Sequence, residues 1–144
     1  MIPLLGRGAS DFDFLGKELA KNGFKVICPE PRGIGKSNSN FKKLTMKVMA
    51  KDIAIVVKER AGKSATVIGH AFGQRVARMT ATEYPDLVEK VGLLCCGGKV
   101  APDPEIVKAL FKVFDPELSP EEHLSAVKKV FFTPNSQASV WFNG

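Results

Sequence analysis

The chain has 144 residues, 44% hydrophobic and 25% charged, which suits one domain with a sizeable core and excludes a disordered chain. No apolar run approaches the roughly eighteen residues needed to span a bilayer. The opening MIPLLGRG lacks the length and basic flank of a secretory signal, so a cytoplasmic protein without a membrane partner is expected. The net charge of +6 invites a nucleic-acid partner. However, Lys42, Lys43, Lys47, Lys51 and Lys58 carry no interleaved aromatics, so they read as a solvated face and no nucleic-acid binding is expected.

In chain order, four short apolar runs have strand character: Ile2–Gly6, Phe24–Glu30, Ala65–His70 and Lys90–Cys96. Their near-continuous hydrophobicity predicts strands buried on both faces of a parallel sheet. Helical patterns lie between them. The first sets Phe12, Leu15 and Leu19 on one face and closes at Gly23. The second repeats Met46, Met49, Ile53 and Val56/Val57 and stops at Gly62. The third carries Val76, Met79 and Thr80 and is limited by Pro85. Strand alternating with helix predicts βαβ units and the α/β class. After Gly98 no strand is evident. Asp103 with Pro104 starts one helix; Ser119-Pro-Glu-Glu122 forms a capping box for another, whose apolar face is Leu124, Val127 and Phe131. The expected division is a core over 1–98 and a helical segment over 99–144.

Several candidate motifs fail on spacing. GIGKS (Gly33 to Ser37) and AGKSA (Ala61 to Ala65) resemble the back half of a phosphate-binding loop, but the required earlier glycine is Glu30 in one and Val57 in the other. GRGASD after the first run offers a Gly-x-Gly turn, and Glu30 could serve a ribose. Asp11, however, replaces the third glycine and would bring a carboxylate to the phosphates, so nucleotide binding stays a minor alternative. Cys28, Cys95 and Cys96 follow no zinc spacing and are expected to be buried free thiols. No metal or cofactor is expected.

GHAFG, Gly69 to Gly73, agrees better with its surroundings. A strand enters it and a helix leaves it, and glycines stand two before and two after the tip, as in the Gly-x-Ser-x-Gly nucleophile elbow. Together with GFKVICPEPRGIGKSN, which looks like G-Y-x-V-x-A-x-D-x-R-G-x-G-x-S, and with the run from Thr45 to Leu94, the chain resembles the α/β-hydrolase fold family over nearly its whole length. LLGRGASDFDFL occupies the place of that family's oxyanion loop, normally H-G-x-G, and the residues after Gly98 look like the beginning of its helical cap. The resemblance implies a sheet ordered second, first, third, fourth run, with a ligand crevice where the GRGAS and GHAFG loops emerge side by side.

The resemblance also implies a site. Ala71 stands where the nucleophilic serine belongs, between Gly69 and Gly73, and is expected at positive φ. Phe72 and Arg7 would supply oxyanion-hole N–H groups. The family's acid and histidine are expected beyond the cap, whereas the sequence reaches Gly144 with only His70 and His123. A triad missing in all three places predicts a hydrolase-like protein related to esterases and lipases without serine-hydrolase chemistry. The alternatives are a pocket that retains small acyl or carboxylate ligands, or an incomplete domain that self-associates. His70 is either a pocket group or a turn residue held by backbone; His123 reads as a surface residue. Exposed edges and the aromatics Phe131, Phe132, Trp141 and Phe142 predict a homo-oligomer.

Overall fold

The computed structural model describes residues 1–38, 44–97 and 100–141. Lys42, Lys43, Phe142 and Gly144 lie outside them, as does the Trp141 side chain. The chain divides into two compact units, Met1–Gly97 and Gly98–Gly144.

In the first unit a 3-10 turn, Ala9–Phe12, leads into α1 (Asp13–Lys21). Helix α2 (Met46–Val56) follows, extended by a π-helical turn, Val57–Ala61. Strand β1 (Ala65–His70), α3 (Phe72–Glu83), a 3-10 turn at Pro85–Leu87 and β2 (Val88–Leu94) complete it. Thr45 starts α2, its Oγ1 accepting the Val48 N–H at 3.2 Å, so one orphan first-turn donor is satisfied. Tyr84 just precedes Pro85, which cannot continue α3.

The α/β class and the parallel sheet are present, but among the described residues the sheet has two strands rather than four. β1 and β2 run parallel, with Val67 opposite Val91 and Gly69 opposite Leu93. The first apolar run contributes one parallel bridge, Ile2 to Gly69, in which Ile2 N–H donates to Ile68 O at 2.7 Å and Ile2 O accepts from His70 N–H at 3.0 Å. The run Phe24–Glu30 forms no strand. Proline accounts for this in part. Successive residues of a strand direct their backbone groups to opposite neighbours, so Ile2 serves β1 while Met1 and position 3 face the Phe24–Glu30 side. Met1 N donates to Ile27 O at 2.5 Å, but Pro3 has no N–H for the next bond, and Pro29 has none either.

The core lies where α2 and α3 pack on β1. Ile2, Val57, Val67, Val76 and Ala77 are buried together, with Met46, Met49, Ile53 and Phe72 against them. Each valine so buried contributes about 1.5–3 kcal/mol. Burial on both faces does not extend to β2, whose Val91, Leu93 and Leu94 are all more than a third exposed. On the first helical face Phe12 is buried, but Leu15 is 37% exposed.

In the second unit α4 (Pro104–Val113) and α5 (Pro120–Phe131) pack through Ala109, Ala126 and Val127. Asp103 Oδ1 accepts the Glu105 N–H at 2.7 Å, as the Asp-Pro start requires. At α5, Ser119 Oγ accepts the Glu122 N–H at 3.3 Å while Glu122 Oε2 accepts the Ser119 N–H at 3.1 Å. His123 is not a bland surface group: it is half-buried, and its Nε2 donates to Val113 O at 2.8 Å, tying α5 to the end of α4. The uncovered aromatics are also different ones. Phe131 and Phe132 are half-buried, whereas Phe111 and Phe114 on and after α4 are 74% and 54% exposed. Among the described residues no helix is long and apolar enough to cross a membrane.

Candidate functional site

The turn between β1 and α3 is made by close backbone approach. A Cβ on Gly69 would lie 2.3 Å from Gly73 O, and a Cβ on Gly73 would lie 2.3 Å from Ile2 O and 2.6 Å from Pro3 O. Only glycine lets the end of the strand, the start of the helix and the first loop meet. Ala71, at the tip, has φ 47 and ψ −109, a conformation that costs a non-glycine residue on the order of 1–3 kcal/mol. Its N–H donates to Leu94 O at 2.9 Å, and its carbonyl accepts from Gln74 N–H at 3.2 Å. These two bonds hold the strained residue between β2 and the first turn of α3.

Phe72 is the first residue of α3, so its N–H belongs to the first turn and has no acceptor within the helix. The partial positive charge of a helix start adds to that amide. The Arg7 amide, the expected second donor, instead closes a turn on Leu4 O at 3.1 Å. Its guanidinium grips Asp11, Nη2 to Oδ1 2.8 Å and Nε to Oδ1 3.0 Å. His70 keeps its backbone in the Ile2 bridge, and its ring stands edge-on to Phe12, with centroids 6.5 Å apart at 81°.

Two residues show contacts or burial that no sequence motif signals. Glu30, a candidate ribose acid by position, accepts the Ala9 N–H through Oε2 at 3.0 Å. Gly8 leaves room for it, since a Cβ there would come within 2.9 Å of the same oxygen. Glu30 thus accepts from the loop amide, and Asp11 is paired with Arg7. The neighbouring Arg32 bonds Asp52 through both Nε and Nη2, and this pairing pushes the guanidinium pKa up. Gln74 is the second residue: it is 2% exposed, and its Oε1 has no hydrogen-bond partner.

The cysteines depart from the expected burial. Cys28 is half-buried, and burial pushes its thiol pKa up, but Cys95 and Cys96 are exposed because they follow β2 at the open side of the sheet. Among the described residues no group of His, Cys, Asp and Glu could hold a metal ion. A cleft of about 650 Å³ lies away from the turn, between Phe24–Ile27 and Ala65–Ile68. Neither Ala71 nor Phe72 lines it.

Comparison with known proteins bears on the fold. The alpha/beta hydrolase fold family matches residues 4–114. Protein ABHD8 of Homo sapiens is 34% identical over 84 residues, covering 57% of this chain and 19% of that protein. The soluble epoxide hydrolase of Corynebacterium sp. (strain C12) is 35% identical over 71 residues, 49% of this chain and 25% of that enzyme. Among solved structures, epoxide hydrolase CorEH without ligand superposes with a TM-score of 0.66 at 25% identity, covering 89% of this chain and 47% of the other. A marine microorganism esterase shares the fold with a TM-score of 0.62 at 23% identity, covering 93% and 54%. The chain spans about a fifth of the length of ABHD8 and about half of these solved chains. With the strand-turn-helix geometry and a match over most of its length, this chain belongs to the α/β-hydrolase fold family.

Proposed function

We propose that this chain is an esterase-related α/β-hydrolase-family protein that forms no acyl-enzyme. The observation that carries the proposal is Ala71 at the tip of the turn between Gly69 and Gly73, at positive φ. In the family reading that tip is the nucleophile elbow, and a methyl group there has no lone pair to attack a carbonyl. Loss of the serine from such a site costs roughly 10⁶ in turnover and leaves ~10³ over water from binding and oxyanion donors. The test is stopped-flow hydrolysis of a p-nitrophenyl ester. The native chain should show no burst. Ala71→Ser should also show none, because the His70 ring stands edge-on to Phe12 and His123 Nε2 is engaged by Val113 O. A stoichiometric burst from the native chain would overturn the proposal; a burst from the serine variant alone would identify a base and make the alanine the sole lesion.

A second reading is non-covalent retention of a small carboxylate or acyl group, favoured by the Phe72 amide at the start of α3 beside a side chain no larger than methyl. Thermal-shift titration with acetate, butyrate and octanoate tests it. A ligand at a hundred times its Kd stabilises by about 2.7 kcal/mol, a shift of several degrees for a domain of this size. No shift with any of the three would remove this reading.

A further inference from the structure

Cys95 and Cys96 are consecutive in the chain, and both are exposed free thiols. They directly follow β2, whose last residue, Leu94, accepts the Ala71 N–H through its carbonyl at 2.9 Å. The pair therefore stands at the carboxyl end of the strand, beside the turn, yet the chemistry proposed for that turn uses no thiol. Along an extended strand two neighbouring side chains point to opposite faces. Cys95 ends that alternation: its φ of 48 lies in the left-handed region, which a residue with a Cβ keeps only where its surroundings hold it. Ala71 is the other non-glycine residue at positive φ among those described. Gly97 comes next, and a Cβ built there would meet nothing within 4 Å, so the chain beside the thiols has open space. Cys28 does not belong to this group: it is half-buried, and burial pushes its thiol pKa up.

We propose that Cys95 and Cys96 form a two-thiol binding site for a trivalent arsenical, with one arsenic atom bridging both sulfurs. The number and the closeness of the ligands decide the class. Zinc takes three or four protein ligands, and among the described residues no group of three or more His, Cys, Asp and Glu could hold a metal ion. Trivalent arsenic with one organic group needs only two sulfurs, both on one side of a pyramidal centre. Neighbouring residues can supply these, whereas a linear two-coordinate ion needs its sulfurs on opposite sides. A direct disulfide is the stricter demand, because it requires Cβ atoms about 3.5–4.5 Å apart; an arsenic atom between the sulfurs relaxes it. With an organoarsenic oxide, the two S–H bonds and the arsenic–oxygen double bond break and two As–S bonds form. The oxygen leaves as water with both thiol protons. Arsenic stays trivalent, so the step needs no oxidant or reductant. The second thiol is tethered to the first, and its effective concentration raises affinity by about 10²–10⁴ over a single thiol. The site does not depend on whether an acyl-enzyme forms at residue 71.

The probe is phenylarsine oxide, added to the reduced native chain and followed by intact-mass spectrometry. One adduct per chain is expected, heavier by one phenylarsine oxide less one water. Tryptic mapping should place it on the fragment from Val91 to Lys99, which holds both thiols. An excess of 2-mercaptoethanol should leave the adduct in place, whereas 2,3-dimercaptopropanol, itself a dithiol, should remove it. Cys95→Ser and Cys96→Ser should each retain the arsenical roughly a hundredfold more weakly, and Cys28→Ser should match the native chain. Absence of an adduct, an adduct on Cys28, or release by 2-mercaptoethanol alone overturns the proposal. So does a folded single-serine variant at position 95 or 96 that holds the arsenical as tightly as the native chain. The mapping and the 2-mercaptoethanol challenge use the native chain, so they decide the matter even where a variant fails to fold.

Discussion

A methyl group added at Gly73 meets the carbonyl oxygens of Ile2 and Pro3, not a side chain that can turn away. Gly73→Ala should therefore lower stability by about 3 kcal/mol, the upper part of the range for overpacking. Gly97→Ala, where nothing lies within 4 Å of the added carbon, should stay within about 0.5 kcal/mol. Urea unfolding of the two variants checks the contrast, and equal midpoints would show that the turn has room to relax. The glycine spacing was legible in the sequence because it answers a steric rule that any strand-to-helix turn of this kind must obey. The Arg7–Leu4 and Glu30–Ala9 bonds were not, because they depend on the path of the first loop, which no local pattern encodes. The thiols give a second test at this scale. Cys95 and Cys96 are exposed, while burial holds the Cys28 thiol pKa above its ordinary value, and the thiolate is the reacting species. Ellman's reagent at about pH 8 should titrate two thiols quickly and the third at least tenfold more slowly; three equal rates would contradict the burial of Cys28.

The helices followed their sequence signals more closely than the strands did. Thr45, Asp103 and Ser119 each start a helix through a side-chain oxygen, because capping is a contact between residues two or three apart. A strand instead needs a partner whose position the local sequence does not supply. Phe24–Glu30 has strand composition, yet Pro3 and Pro29 remove donors at its border with the first run. The capping box of α5 carries a pH prediction. The Ser119 hydroxyl and then the Ser119 N–H bond the Glu122 carboxylate and hold its pKa below the usual range. Since the folded value is depressed, the associated stabilisation is complete above the ordinary carboxylate pKa and is lost as pH falls through the lowered folded value. Glu122→Gln keeps a reduced capping contact but has no proton to gain. Helical circular dichroism should show the native chain losing its advantage over this variant across that acid interval, and parallel curves for the two would contradict the assignment.

At the scale of the molecule, the α/β class was legible because alternating apolar runs and amphipathic segments admit few other arrangements. The extent of the sheet was not. Among the described residues only the βαβ unit β1–α3–β2 has a complete ladder, and the Ile2 segment adds a single bridge. This asymmetry bears on assembly. β1 lies between Ile2 and β2, while β2 pairs on one side only among the described residues. The outer edge of β2 therefore presents alternate N–H and C=O groups along a strand that also exposes Val91, Leu93 and Leu94. Charge, proline or a covering segment usually blunts such an edge. Here Glu89 and Lys90 supply charge at its start, but the half from Val91 to Leu94 has none. Exposed Phe111 and Phe114 in the second unit add apolar surface of the kind that marks an interface. We propose a dimer or larger assembly with the β2 edge at its centre. Light scattering at micromolar concentration should give at least twice the monomer mass, and Leu93→Lys, which places a charge on the strand without removing a backbone donor, should shift the population towards monomer. A monodisperse native monomer that binds no apolar dye would sink the idea, as would a Leu93→Lys chain that stays folded and fully associated.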